Sequence, residues 1–468
     1  MALAAFLVVS ALGSTETKAV RLDPEAGGQV LIYPYYTVRS YGTDPFNTYL
    51  SIVNTSAVGK VLKVRFREGD QALQALAFNL FLSPNDTWTG AVVPSADGGA
   101  QLVTRDASCV SPAMAAGGDG ARIVSLSSSA FPSGGAARTR EGYVEVIEMG
   151  TLHGAALAAI TQDGAGVPQD CAAVQGATYV PPPAELGPPG GGLRGTLTLI
   201  NVASGMDFTV NADALADFSV ASHYAQPSGL GPDLADADPV SLITTAGFAY
   251  RLQWSSGIDA VSSVLMRDAI VNEYILDTAT ASSSDWVLTF PTRFRLVGAA
   301  SSQAPFAGSS AGAGCEMLLM SYFNREAAGT SSQGTFSELP ASPPFACHAT
   351  TVWSVIKYPG TSAPAVFGSA NGTGGAGIPP PFQDGWAKLR FTGNGPAPGL
   401  VSLPGSSRLE LRTGLVTTGA VRVQGLPVTG FLARTFINGL LACASGTCQG
   451  AYGSAFSHRS SRALSPVQ

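Results

Sequence analysis

Along this chain, apolar and polar positions alternate with a period of two over short stretches, and almost nowhere with the 3.6-residue period of an amphipathic helix. Runs rich in Val, Ile, Leu, Thr, Tyr and Phe recur between clusters of Gly, Pro, Ser and Asn, the pattern of many strands joined by turns. In the first half these runs predict strands at 30–38, 49–54, 61–67, 78–82, 88–93, 101–104 and 143–148. In the second half they predict strands at 196–202, 249–254, 263–266, 270–275, 286–290, 317–323, 351–356, 387–391, 409–411 and 420–423. Val61-Leu-Lys-Val-Arg-Phe-Arg67 is the sharpest case: Val64 and Phe66 are expected inward, and Lys63, Arg65 and Arg67 toward water. Asn211–Phe218 is the one stretch that reads as a short helix.

The fold class predicted is all-β, built as two immunoglobulin-like or related antiparallel sandwiches with long loops. Pro181-Pro-Pro-Ala-Glu-Leu-Gly-Pro-Pro-Gly-Gly-Gly192 can hold neither ladder nor helix, so it reads as a linker. The expected layout is residues 20–180 as a first domain, 181–192 as linker, 193–440 as a second β domain and 441–468 as a disulfide loop and tail. Thr196-Leu-Thr-Leu-Ile-Asn201 echoes Thr48-Tyr-Leu-Ser-Ile-Val-Asn54, which hints at duplication.

Composition then narrows the setting. Only 12% of residues are charged, against roughly 25% in ordinary soluble domains. The formal charge of -6 offers no basic surface to capture nucleic acid by long-range attraction. No apolar run is long enough for a transmembrane helix. Residues 1–19 read as a secretory signal, with a short apolar stretch followed by small residues. Six cysteines, Cys109, Cys171, Cys315, Cys347, Cys443 and Cys448, fit disulfides in an oxidising compartment. Chain order suggests pairing them consecutively among the fifteen possible connectivities.

Candidate chemistry is sparse. Asp233, Asp236 and Asp238 supply three close carboxylates suited to Ca2+, or simply form a solvated acidic turn. Gly308-Ser-Ser-Ala-Gly312 and Gly372-Thr-Gly-Gly-Ala-Gly377 match hydrolase and dinucleotide patterns, but neither sits in the strand-turn-helix context that the chemistry requires. Glu145 with Glu148, or Glu273 with Asp277, are the carboxylate pairs that could serve glycoside cleavage. The four histidines, His153, His223, His348 and His458, are scattered. Tyr33, Tyr35 and Tyr36, on the strand that begins the mature domain, are candidate contacts for a neighbouring subunit or a sugar, while the tryptophans are expected in the core.

Gly28-Gln-Val-Leu-Ile-Tyr-Pro-Tyr-Tyr-Thr37, Asp285-Trp-Val-Leu-Thr-Phe-Pro-Thr292 and Gly425-Leu-Pro-Val-Thr-Gly-Phe431 resemble segments of a group of uncharacterised secreted proteins of Gram-negative bacteria. The resemblance implies export to the periplasm, cell surface or medium, and carries no activity or cofactor with it. The resulting expectation is a non-catalytic structural protein that self-associates or binds other surface components through strand edges, with 20–36 as the contact strand. The other reading is a secreted glycan-binding protein or glycoside hydrolase with an aromatic groove.

Overall fold

The computed structural model describes residues 18–25, 27–131, 135–277, 279–298, 302–306, 315–326, 329–331, 345–357, 365–372, 376–378, 384–391, 400–401, 409–411, 416–417, 421–443 and 446–466. Nearly all the expected strands form. In the first half they are β1 (Val30–Thr37), β2 (Asn47–Asn54), β3 (Gly59–Glu68), β4 (Gln74–Leu82), β5 (Thr87–Pro94), β6 (Ala100–Thr104), β7 (Cys109–Ser111), β8 (Arg122–Ser125) and β9 (Glu141–Leu152). They continue as β10 (Leu193–Asn201), β11 (Met206–Asn211) and β12 (Asp213–Ala216). Sheet one runs Arg21–Leu22, β12, β1, β9, β3, β4, β7; sheet two runs Ala115–Ala116, β8, β6, β5, β2, β10, β11. The two sheets enclose one core, with Leu31, Val64, Phe66 and Val144 on one side and Leu50, Ile52, Trp88 and Leu197 on the other.

This arrangement departs from the expected layout. The 181–192 segment does not divide the sheets, because β10, β11 and β12 follow it and complete both of them. Nor is it free: Leu186–Gly187 pairs with the end of β9. The two echoing strands are antiparallel neighbours in sheet two, Tyr49 opposite Thr198, rather than equivalents in separate domains. Their terminal Asn54 and Asn201 are both buried and both tie turns, donating to Val58 and Ser83 carbonyls and to the Asp44 carbonyl respectively. The stretch 211–218 is extended: Asp213–Leu215 pair with Val30–Ile32 of β1, and this ladder overrides local helical propensity.

The second half supplies β13 (Ala269–Ile275), β14 (Ser283–Thr289), β15 (Leu319–Asn324), β16 (Gly329–Ser331), β17 (Thr350–Lys357), β18 (Asp384–Arg390), β19 (Thr429–Cys443), β20 (Gly446–Ser457) and β21 (Arg459–Ser461). Sheet three runs β16, β15, β18, β13, β21, and sheet four runs Ala376–Ile378, β17, β14, β19, β20. The central strands of sheets one and four bury both faces. Leu31, Val146, Val287, Val352 and Phe431 face the first core, whereas Val30, Ile32, Ile147, Trp286, Trp353 and Leu432 face a second core closed by sheet three. That is why Trp286-Val-Leu-Thr-Phe290 reads as an unbroken apolar run rather than an alternating one. Two helices were not legible: α1 (Gly154–Ile160) and α2 (Gly257–Leu265). Every residue of α2 is buried; its polar residues Asp259, Ser262 and Ser263 do recur at helical spacing, but over only nine residues and running into Val264-Leu-Met266, which reads as a strand. It occupies the place expected for a strand at 263–266.

Disulfides join Cys109 to Cys171 and Cys315 to Cys347. Cys443 and Cys448 lie on the β19–β20 hairpin, where Cys443 faces Gly446 and Cys448 faces Leu441; their side chains are outside the described residues. So are residues 1–17 of the expected signal, the 308–312 hydrolase-like motif and residues 373–375 of the glycine pattern.

Because both cores draw residues from both halves, fragment 18–180 should not fold alone. Purified, it should lack near-ultraviolet dichroism and a cooperative melt; a sharp transition would show the first half to be autonomous.

Candidate functional site

Strands β3 and β9 carry an unusual load of charge for a sheet interior. In register, Arg67 lies opposite Tyr143, Arg65 opposite Glu145 and Lys63 opposite Ile147. The alternation expected for β3 is present, but its polar face is not wet: Lys63, Arg65 and Arg67 are all buried. The reason is a cover made of Gly- and Pro-rich chain, Ala225–Pro232, which has no strand partner of its own. Its carbonyls are satisfied by the buried cations. Lys63 Nζ donates to the Gln226 carbonyl at 2.7 Å and to that of Pro227 at 3.3 Å. Arg65 donates to the carbonyls of Pro232 at 2.9 Å and Leu230 at 2.8 Å, and Asn79 on β4 donates to Ala225 at 3.0 Å. The bonds to Pro227 and Pro232 are buried and the other three partly so; each gives a donor of the sheet an acceptor in the cover.

Carboxylates balance these cations. Glu145, fully buried, lies 2.8 Å from Arg67 Nε and 3.7 Å from Arg65, and the Arg67 guanidinium stacks 3.6 Å over the Phe294 ring. Glu148 pairs with Lys60 at 2.6 Å, both sealed from solvent, and accepts the Gly190 and Gly191 amides at 2.8 Å each. The supposed linker is therefore clamped to the sheet by one carboxylate. Glu141 accepts from Tyr35 Oη and Arg39 Nε at 2.9 Å, Ser369 Oγ at 2.6 Å and the Ala370 amide at 2.9 Å, which fixes the 365–372 segment from the far half. Glu68 accepts the amides of Asp70, Gln71 and Leu73 and pairs with Arg138 at 3.1 Å. A hydrogen bond from His348, with Arg138 adjacent, holds the Asp70 carboxyl below its ordinary range.

The residues singled out from sequence are placed as follows. Tyr33, Tyr35 and Tyr36 are wholly buried, because β1 lies between β12 and β9 with both faces covered. They do not form an exposed contact row, and 20–36 is not a strand free to join another molecule: β1 is paired on both sides, and Val20 bonds to Val240 and Leu242. Tyr33 Oη crosses the first core to donate to the Ser51 carbonyl at 2.6 Å; Gly195 makes room, since a Cβ there would lie 1.9 Å from that oxygen. Burial pushes the Tyr33 and Tyr35 hydroxyls to titrate far above their usual range, Tyr35 further through Glu141. Asp233 and Asp236 cap a single helical turn reciprocally, each accepting a backbone amide of that turn. Asp233 also pairs with Arg295, and Asp238 accepts the Val220 amide at 2.9 Å. Among the described residues no group of three His, Cys, Asp or Glu is arranged to hold a metal, so the Ca2+ expectation finds no ligand set. Glu145 and Glu148 are separately committed, as above. The histidines stay apart: His223 bonds Ser219, His153 bonds Thr151, His348 bonds Asp70 and His458 bonds Asn272 and the Val287 carbonyl. Trp88, Trp254, Trp286 and Trp353 are core residues; Trp386 is 40% exposed.

The charge network was missed by the sequence reading, yet one signal pointed to it. In a chain with so few charges, Lys60, Lys63, Arg65 and Arg67 on one strand face Glu141, Glu145 and Glu148 on another, and opposite signs on two apolar strands favour pairing. No family model, curated protein or solved structure matches the chain. No helix among the described residues is long and apolar enough to cross a membrane.

Lys60→Met leaves Glu148 charged without its cation and should cost about 3–5 kcal/mol. Adding Glu148→Gln, which keeps an oxygen for the Gly190 and Gly191 amides, should restore part of that in urea unfolding; strictly additive losses would show the pair to be uncoupled. Burial, with Arg65 beside it, lowers the Lys63 ammonium to about 7 from 10.5. Between those values the unfolded chain binds the extra proton, so stability should rise with pH by about 3–5 kcal/mol across that window. Lys63→Met should flatten this rise, measured as the difference between the two proteins' urea midpoints at each pH.

Proposed function

We propose that the chain is a non-catalytic, extracytoplasmic structural protein that works at or beyond the cell surface and associates through a strand edge. The observation that carries this reading is the commitment of its buried charged groups to architecture. Glu68, Glu141 and Glu148 accept backbone amides of loops, and Lys63 and Arg65 donate to loop carbonyls. A catalytic carboxylate or lysine needs a substrate-facing lobe; these groups face the protein's own chain. Two disulfides support an oxidising compartment.

The edge that suits assembly is not the N-terminal one. Sheet one ends in strands of two and three residues, and one edge of sheet two has two, short edges of the kind that resist adventitious pairing. Strand β20, with 12 residues, ends sheet four. Its inner face is small, with Ala451, Gly453 and Ala455, so β11 packs closely over it; a Cβ on Gly453 would lie 2.8 Å from the Asp207 carbonyl. Its outer face exposes Tyr452 and Phe456, with the Arg434 guanidinium 4.5 Å from the Phe456 ring centre. Light scattering after size exclusion, with negative-stain microscopy, should show oligomers or filaments of the mature chain, dispersed in the Tyr452→Glu, Phe456→Glu double variant. A monodisperse monomer at high concentration would overturn the reading.

A further inference from the structure

The outward face of sheet three carries a row of aromatic and charged side chains. On β18 the chain reads Trp386-Ala-Lys-Leu-Arg390: Ala387 and Leu389 point into the second core, while Trp386, Lys388 and Arg390 point out. The neighbouring strands place their outward residues in rows beside them. Phe323 and Glu273 flank Trp386, Ser321 and Val271 flank Lys388, and Leu319 flanks Arg390. Beyond Val271 stands Arg459 of β21.

Two features of this face point to a ligand. Phe323 and Trp386 are stacked with ring centres 4.2 Å apart and planes within 17°. An aromatic pair of that size left 40% open at Trp386 is apolar area that folding has not used. On its far side Phe323 stands opposite Gly329, a position with no side chain to cover the ring. The second feature is charge. Arg459 is matched by Glu273 at 2.7 Å and Arg325 lies 3.8 Å from Asp384, but Lys388 and Arg390 have no acidic partner among the described residues. A row of aromatic, cation and cation, spaced two residues apart along one strand, thus sits on a chain whose overall charge is -6.

We propose that this face binds an acidic polysaccharide, a polymer of uronic acid units lying along β18. The sugar ring's C–H face packs on the Phe323–Trp386 pair, and carboxylates along the polymer meet Lys388 and then Arg390, the latter able to bind in bidentate fashion. Glu273 and Asp384 beside the rings accept hydrogen bonds from sugar hydroxyls. Single-stranded nucleic acid also stacks on aromatics over cations, but it draws on a longer basic track than Lys388 and Arg390 supply. This proposal shares with the preceding reading only the extracytoplasmic setting; it uses no residue of β20, so either can fail alone.

The test is affinity electrophoresis and calorimetry of the full mature chain with polygalacturonate, neutral dextran and oligothymidylate as probes. Polygalacturonate should bind, and binding should weaken with added salt. Trp386→Ala should weaken it roughly tenfold, and Lys388→Gln with Arg390→Gln should remove most of the salt dependence. These side chains are exposed or half-buried on the solvent face, and an unchanged thermal melt confirms that each variant is folded. The proposal is overturned if polygalacturonate does not bind, if dextran or oligothymidylate binds as well, or if the Trp386→Ala variant binds like the wild type.

Discussion

Three cations brought out of water together on one strand need acceptors within hydrogen-bond reach, and the rest of the molecule is arranged around supplying them. Isolated, each would cost several kcal/mol to bury. Lys63, Arg65 and Arg67 find loop carbonyls, Glu145 and the Ala72 carbonyl instead. The arrangement serves both sides, because the Ala225–Pro232 cover forms no strand pairing and its carbonyls at Gln226, Pro227, Leu230 and Pro232 accept the cations' hydrogen bonds. Irregular backbone and interior charge thereby supply each other's hydrogen-bond partners.

The same exchange recurs wherever Gly- and Pro-rich chain crosses the sheets. Glu148 holds the 190–191 amides, and Glu141 holds Ser369 and Ala370. The latter contact seats Phe367 among Tyr35, Phe46, Phe208 and Phe431, with ring centres 5.2–6.0 Å away. One carboxylate on β9 thus positions an aromatic plug from residue 367 between sheets built mainly from the first half. Composition that would signal flexible tethers in isolation becomes packed structure because a carboxylate waits beneath it.

Much of the strand content was legible, since period-two alternation in β2, β3 and β5 reports a buried and a polar side directly. What alternation does not report is whether the polar side meets water or protein, and for Lys63 it meets protein. The rows around Tyr33 and Trp286, buried on both faces, lose the alternation altogether, whereas α2 keeps a helical spacing of Asp259, Ser262 and Ser263 that is only nine residues long. The 211–218 stretch misled in the opposite direction: its Ala and Asp residues suit a helix locally, but pairing with β1 decides. The domain boundary failed because proline and glycine mark where strands cannot run and leave unstated which sheets the flanking strands join. Of the aromatic residues, Trp386 alone among the tryptophans stands in solvent, and only its place in the ladder beside Phe323 distinguishes it from the four in the core.

Sheet four is built from strands between residues 283 and 457, and its inner face completes a core whose first strand begins at residue 30. A polypeptide emerging from its N-terminus cannot close that core when the first sheets have been made; Val287, Val352 and Phe431 arrive long after Leu31 and Tyr33. Until they do, β1 and its neighbours carry an uncovered apolar surface and, on the opposite side, cations whose carbonyl partners at 226–232 are still to come. Synthesis of this chain from its N-terminus therefore passes through a half-built state in which apolar strands and cations await partners from the far half.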